Sequence, residues 1–166
     1  MHFSIRKISA TFRHNLFRMT AHQIIALIAI LSISSFAIVK LPIFKRTGLS
    51  CKWRLMLWGA KLLASIAVLL LYTEYYPKET ADIYKYYKDG QTLYQASPDF
   101  STYAKTISGI GMQDPKVQAL TDSTSHWNRK YLKGVWNDNR SIIRVNAILY
   151  PISGGFLLTH SIVFAF

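Results

Sequence analysis

Two long stretches without charge constrain this chain more than any other feature. No Asp, Glu, Lys or Arg occurs between Arg18 and Lys40, and a second apolar run, residues 55–73, contains only one charged residue, Lys61. A helix needs about 20 apolar residues to cross the roughly 30 Å of hydrocarbon in a bilayer. The sequence therefore predicts an all-α integral membrane protein, with transmembrane helices over 19–39 and over the second run.

The C-terminal segment, residues 145–166, is a third apolar run without Asp, Glu, Lys or Arg. It contains Pro151, Gly154 and Gly155, which disfavour one continuous helix. If the helix restarts at Phe156, the remaining residues are too few to span. We therefore expect two or three transmembrane helices, the third of them incomplete, and a chain that forms the N-terminal portion of a larger helical bundle.

Basic residues predict the orientation in the membrane. The loop 40–54 has five basic residues and no acidic one, which places it in the cytoplasm and the region 74–144 outside. Residues 1–18 form a basic amphipathic segment suited to the membrane interface, or alternatively the start of a signal peptide. If 19–39 only dips into the bilayer, both basic stretches are cytoplasmic.

The region 74–144 holds all eight acidic residues and ten of the twenty basic ones. Nine of the ten tyrosines lie between positions 72 and 131, and tyrosine concentrates where apolar surface meets water. This pattern predicts an aromatic-rich extracytoplasmic region that lies against the lipid headgroups. Within it we expect two juxtamembrane helices, 81–96 and 140–150, a short helix over 97–109, and a turn-rich stretch over 112–125.

The formal net charge of +12 and the pI near 9.9 invite a nucleic-acid interpretation. The excess cations, however, flank the apolar runs, where they orient a membrane protein and attract anionic lipid. No glycine-rich, zinc-ligand or basic-helix pattern of a nucleic-acid module occurs. The sequence favours membrane lipid as a partner and no nucleic acid, and it leaves protein partners open.

Three pieces of the sequence carry a resemblance to known proteins: "ETADIYKYYKDG", "GVWNDNRSIIRVNA" and the basic loop "FKRTGLS". They resemble a group of multispan bacterial membrane proteins of the Bacteroidota. More distantly, the layout is similar to the start of the GT-C superfamily, membrane glycosyltransferases that use polyprenyl-phosphate sugars. The chain departs from that pattern because it lacks a paired Asp-Glu after the span and has an extra apolar segment before it.

The resemblance implies roles for charged residues at the outer membrane surface. Asp82 would be the base near the acceptor hydroxyl, with Asp89 as a second candidate. Arg140 and Arg144, one helical turn apart, would bind the departing phosphate, with Lys85 as a further cation. Each has an ordinary alternative: an acid at a helix N-terminus paired with a lysine, and arginines that anchor the helix to lipid headgroups.

Aromatic and potential metal-binding side chains complete the set of candidates. Trp127 and Trp136 would stack on sugar or hold a prenyl chain, or else they are interfacial residues. His126 and His160 lack partners at metal-ligand spacing, so we expect no metal and no cofactor. The single cysteine, Cys51, excludes an internal disulfide.

Two other functions remain open at this level. The chain can be a non-catalytic membrane scaffold or assembly protein that binds lipid or a partner through its aromatic outward region. It can also be a soluble domain released after signal cleavage, in which case it would appear in the aqueous fraction.

Overall fold

The computed structural model describes residues 19–76, 81–128 and 139–166, and this part of the chain is helical, without strands. The helices are α1 (Ala21–Lys40), α2 (Pro42–Lys45), α3 (Cys51–Glu74), α4 (Asp82–Gln95), α5 (Phe100–Ser108), α6 (Pro115–Asp122), α7 (Asn139–Ser153) and α8 (Leu157–Ala165). The all-α prediction is confirmed for these residues. The predicted amphipathic segment 1–18 lies outside them.

Helices α1 and α3 are the two described helices that are long and apolar enough to cross a membrane. A polar side chain begins each of them: Thr20 accepts from the backbone N–H of Gln23, and Ser50 accepts from that of Trp53. Only 22% of the apolar window of α1 and 11% of that of α3 is buried. The core helix of a soluble protein would be mostly buried, so this exposure fits helices that face lipid.

The two long helices pack against each other and against α8. Their shared apolar cluster is built from Ile38, Trp58 and Ile162, one residue from each helix. The Nη1 of Arg54 donates to the carbonyl oxygen of Ile38 at 2.7 Å, so an arginine of α3 satisfies a carbonyl in the last turn of α1. This contact fixes the α1–α3 pair at the end that carries the basic loop.

Helices α4 and α7 form the most extensive helix pair of the described residues. Gly90 allows their close approach, since a Cβ at this position would stand 2.7 Å from the backbone nitrogen of Ala147. A second core cluster lies beside this crossing and contains Leu93, Leu120, Trp127, Ile143 and Ala147. The cluster joins α4 and α7 to α6 and to the turn that follows it.

The C-terminal apolar segment is not one helix. Helix α7 ends at Ser153, and Gly154 and Gly155 both have positive φ, at 58° and 71°. Glycine adopts this conformation without the steric cost that other residues meet. The nine residues of α8 measure about 14 Å, too short to cross the hydrocarbon layer alone. The apolar run 145–166 is therefore divided between two helices at Gly154 and Gly155.

The stretch 112–125, expected to be turn-rich, contains helix α6. Asp114 begins it by accepting the backbone N–H of Lys116 at 3.0 Å, and Pro115 occupies the first helical turn. Val117 and Leu120 of this helix are buried, and Leu120 belongs to the core cluster with Leu93 and Trp127. The expectation was wrong because two capping residues and two buried apolar positions suffice for an eight-residue helix that packs on its neighbours.

Candidate functional site

An apolar groove lies between the long helix α3 and the helices α4, α7 and α8. Its volume is about 500 Å³. The side chains that line it include Ala64, Val68, Ile83, Ile142, Leu157 and Phe164. The polar or partly polar side chains of its lining are Lys61, Ser65, Tyr86, Asn146, His160 and Ser161. The groove therefore offers apolar surface beside a helix that is itself suited to the bilayer.

A buried polar chain runs along one side of this groove and connects α7 to α8. Asn146 donates through Nδ2 to the carbonyl oxygen of Ile142, so its Oδ1 accepts the proton of His160 Nδ1 at 2.7 Å. His160 Nε2 then accepts from the hydroxyl of Ser153 at 2.9 Å. Ser153 is completely buried, which denies a substrate access to its oxygen. This chain fastens two helices and does not present a nucleophile.

A second cavity, the polar pocket, lies on another face of α4 and measures about 490 Å³. Its lining consists of side chains from α4 and from the turn after α6: Tyr84, Lys85, Tyr87, Lys88, Asp89, Gln91, Ser125 and His126. Cations, hydroxyls, an amide and an imidazole thus surround one open space. Such a lining suits a hydrophilic ligand that carries hydroxyl or anionic groups.

Asp89 and His126 form a hydrogen-bonded pair in this pocket. The Asp89 carboxylate is 2% exposed and accepts the backbone N–H groups of Ser125 and His126 at 3.0 and 2.7 Å. Its Oδ2 also lies 3.1 Å from Nδ1 of the His126 ring. A buried carboxylate needs such donors to offset its lost hydration. Asp89 consequently fixes the turn that carries His126.

Two neighbouring tyrosines of α4 each contact a histidine at the groove or at the polar pocket. Tyr86, which lines the groove, meets the ring of His126 edge-on at a centroid distance of 6.1 Å. Tyr87, which lines the pocket, meets His160 at 5.1 Å. Burial raises the pKa of Tyr87 to about 12, with a smaller contribution from Tyr150. The Tyr87 hydroxyl therefore stays protonated and donates to Gly155 O at 2.7 Å.

Asp82 has a different environment from Asp89, although the helical spacing places both on one polar face. The Asp82 side chain is 65% exposed and pairs with Lys85 at 3.1 Å. Lys85 also lines the polar pocket, so Asp82 lies beside the pocket through this partner. Asp89 is buried because the turn at Ser125 covers it, which helical periodicity does not encode.

The structure brings three of the predicted substrate-binding residues together. The guanidinium carbons of Arg140 and Arg144 lie 5.7 and 5.1 Å from the centre of the Trp127 ring. Arg140 Nε also donates to the carbonyl oxygen of Trp127 at 3.1 Å. Burial lowers the pKa of Arg144, and the charge of Arg140 lowers it further. Trp136 lies outside the described residues.

The arginines and the groove lie on different faces of α7. Ile142 and Asn146 line the groove, and each lies two residues from Arg140 or Arg144. Two residues turn a helix by about 200°, so the guanidinium groups lie nearly opposite the groove. The arginine–tryptophan cluster is therefore separate from the apolar surface. No described contact joins it to Asp82.

The last observations concern metal binding, Cys51 and similarity to known proteins. Among the described residues, no three His, Cys, Asp or Glu side chains lie together as a metal-ion site would require. Cys51 is exposed and is a free cysteine. A scan against protein-family models, a search of curated proteins and a search of solved structures found no match to the chain.

Proposed function

We propose that the protein is a multi-pass protein of a bacterial inner membrane that binds a polyprenyl-phosphate sugar and transfers the sugar at the outer surface, as GT-C glycosyltransferases do. Helices α1 and α3 cross the bilayer with the basic loop 40–54 in the cytoplasm. Helices α4 to α7 lie on the outer surface. The prenyl chain occupies the apolar groove, and the hydrophilic head lies in or beside the polar pocket.

The observation that carries this proposal is the position of the groove. It follows α3 from Lys61 to Val68 and continues between α4 and α7, so it connects a bilayer-facing helix with the outer layer. A prenyl chain is flexible and apolar, and burying it gains about 25 cal/mol per Å² of apolar surface. A cavity of about 500 Å³ is within the usual range for ligand sites.

The polar pocket supports the same proposal from the other side of α4. Ile83 lines the groove and Tyr87 lines the pocket, and they lie on the same face of α4, one helical turn apart. One amphiphile can therefore contact apolar side chains and cations at the start of α4. The ammonium groups of Lys85 and Lys88 are suited to a phosphate, and hydroxyl and amide groups of the pocket are suited to a sugar.

Photo-crosslinking tests chain binding directly. The protein in nanodiscs is irradiated with a polyprenyl phosphate that carries a diazirine on its chain, and the labelled peptides are identified by mass spectrometry. We expect labels in α3 and α8 within the groove, and Ala64→Trp should reduce them severalfold by filling the space. Leu63→Trp is the matched control, because Leu63 is 70% exposed and does not line the groove.

Equal labelling of the wild type and Ala64→Trp, with competition by ordinary phospholipid, would refute a dedicated chain site. A turnover assay with polyprenyl-phosphate sugar then addresses catalysis, and Asp82→Asn reports whether Asp82 is the base. Unchanged transfer in Asp82→Asn would exclude that role. The wild type must transfer sugar for the proposed activity to stand.

The second candidate is a non-catalytic membrane scaffold that binds a partner through its aromatic outward region. Phe100 at the start of α5 and Ile110 two residues after its end favour it, because they are 82% and 70% exposed. Asp82 engaged with Lys85 and Asp89 engaged with the turn at Ser125 are also compatible with purely structural acids. Loss of a co-purifying partner in Phe100→Ser, with sugar transfer absent from the wild type, would support the scaffold.

A further inference from the structure

We propose that His126, oriented by Asp89, is the proton acceptor of the polar pocket and takes the proton from the hydroxyl group of a carbohydrate-class acceptor. The inference rests on the proposed function and names a base that sequence spacing does not reveal. It makes Asp89 a positioning residue. His126 then replaces Asp82 as the group that meets the acceptor.

The contacts of Asp89 determine which nitrogen of the His126 ring carries the proton. Asp89 accepts two backbone N–H groups, so its carboxylate is held in place beside His126 Nδ1. A carboxylate can only accept hydrogen bonds, which requires the proton of neutral His126 to be on Nδ1. The other ring nitrogen, Nε2, therefore carries the lone pair.

The His126 ring is accessible from the polar pocket. The side chain of His126 lines the polar pocket and is 16% exposed, whereas the side chain of Asp89 is 3% exposed. Within the described part of the chain, no hydrogen bond occupies Nε2 of His126. His126 thus has a buried carboxylate at Nδ1 and no hydrogen bond from the described residues at Nε2. A general base requires this arrangement.

The polar pocket also contains cations that suit a phosphate. Lys85 and Lys88 line the same space, and Lys88 has no carboxylate partner among the described residues. They are placed to attract the phosphate of the donor, while the hydroxyl of Tyr87 is already engaged with Gly155. The pocket thus combines cations for the leaving group with one basic nitrogen for the acceptor.

The reaction step balances without another reagent. The acceptor oxygen forms a bond to C1 of the sugar while the bond between C1 and the phosphate oxygen breaks. The electron pair of the broken bond leaves with the polyprenyl phosphate, and the acceptor proton passes to His126 Nε2. The imidazolium is stabilised by Asp89 and later releases the proton to water.

Nitrogen NMR tests the proton position without any assay of activity. Ser125–His126 is the only Ser-His step in the sequence, so ¹³C-Ser and ¹⁵N-His labelling assigns this residue in nanodiscs without a variant. We expect protonated Nδ1 and unprotonated Nε2 in the wild type. Asp89→Asn should allow both tautomers, because an amide can accept from Nδ1–H through its oxygen or donate to an unprotonated Nδ1 through its nitrogen. A wild-type ring protonated on Nε2 alone would overturn the proposal.

Turnover of polyprenyl-phosphate sugar tests the role of the nitrogen. His126→Gln should lower kcat by about 10²- to 10⁴-fold with little change in KM, and Asp89→Asn should lower it in the same way. Asp114→Asn is the matched control, since Asp114 also accepts a backbone N–H and pairs with a lysine but lies outside the pocket. Circular dichroism confirms that each variant is folded.

The two failures are distinguishable. Wild-type transfer that is retained in a folded His126→Gln variant would refute the base and leave the proposed function standing. A wild type that transfers no sugar would refute the proposed function and, with it, this role for His126.

Discussion

Gly90 of α4 lies so close to Asn146 of α7 that a Cβ at position 90 would stand 2.7 Å from the Cβ of Asn146. The same Cβ would meet backbone atoms of Asn146 and Ala147, which cannot move aside as a flexible side chain can. The α4–α7 crossing also brings Ile83 of α4 and Ile142 of α7 together in the lining of the groove. The spacing of α4 and α7 therefore depends on the absence of a side chain at this position.

Gly90→Ala should destabilise the protein, by about 1–3 kcal/mol for an overpacked contact. The measurement is thermal unfolding in detergent micelles, followed by circular dichroism. Gly59→Ala is the matched control, because Gly59 is also helical but a Cβ there meets nothing within 4 Å. The control should be neutral or slightly stabilising, since alanine favours helix. An equal effect of both changes would contradict the close crossing.

The helix pattern of this chain could be predicted from sequence where composition decides it. The apolar windows 19–39 and 55–73 correspond to α1 and α3, because about twenty mostly apolar residues leave few alternatives to a long helix. The predicted helices 81–96 and 140–150 match α4 and α7 to within a few residues. The end of α7 extends past Pro151, which lies inside its last turn.

The buried polar chain at the groove gives a second prediction. In Asn146→Leu, the Nδ1–H of His160 loses its acceptor in a buried position, which should cost about 1–3 kcal/mol. Thermal unfolding in micelles measures this loss. Gln95→Leu serves as the control, because its amide makes an exposed hydrogen bond to Tyr150 and should matter little. A smaller loss in the double change Asn146→Leu and His160→Phe than in Asn146→Leu alone would support the unpaired-donor explanation.

Helices α5 and α6 should lose stability in acid through their two capping carboxylates, Asp99 and Asp114. The backbone N–H and hydroxyl of Thr102 lower the pKa of Asp99, and Lys105 followed by the N–H of Lys116 lowers that of Asp114. A lowered pKa stabilises the fold above the unfolded value near 3.8, and this contribution disappears as the pH falls through the lowered pKa. Melting temperatures measured between pH 6 and pH 2 should therefore decrease once the pH falls below about 4.

The matched comparison for this acid effect is the double change Asp99→Asn and Asp114→Asn. These amides do not titrate, so the melting temperature of the double variant should start lower at pH 6 and change less below pH 4. Parallel pH curves for the wild type and the double variant would show that other groups control acid unfolding.

The environment of Asp89 and His126 could not be predicted from sequence, for a physical reason. The helical spacing places Asp82 and Asp89 on the same side of α4, but spacing does not reveal which part of that side another segment covers. The covering segment is a turn 36 residues further along the chain, without any periodic pattern of its own. His126 was expected to be an isolated histidine because its partner lies so far away in sequence.

Arg144 and Trp127 provide the last prediction, since the guanidinium carbon lies 5.1 Å from the ring centre and the buried Nε of Arg144 has no hydrogen-bond partner among the described residues. If stacking on the ring stabilises this half-buried charge, a double-mutant cycle of Arg144→Gln and Trp127→Phe should give a coupling of about 0.5–2 kcal/mol. The cycle is measured by unfolding in micelles. Arg140→Gln is the matched control, because Arg140 is more exposed, lies 5.7 Å away and also bonds to the backbone, so its coupling to the ring should be smaller. A coupling near zero for Arg144 would mean that the arginine packs beside the ring without stabilisation from its charge.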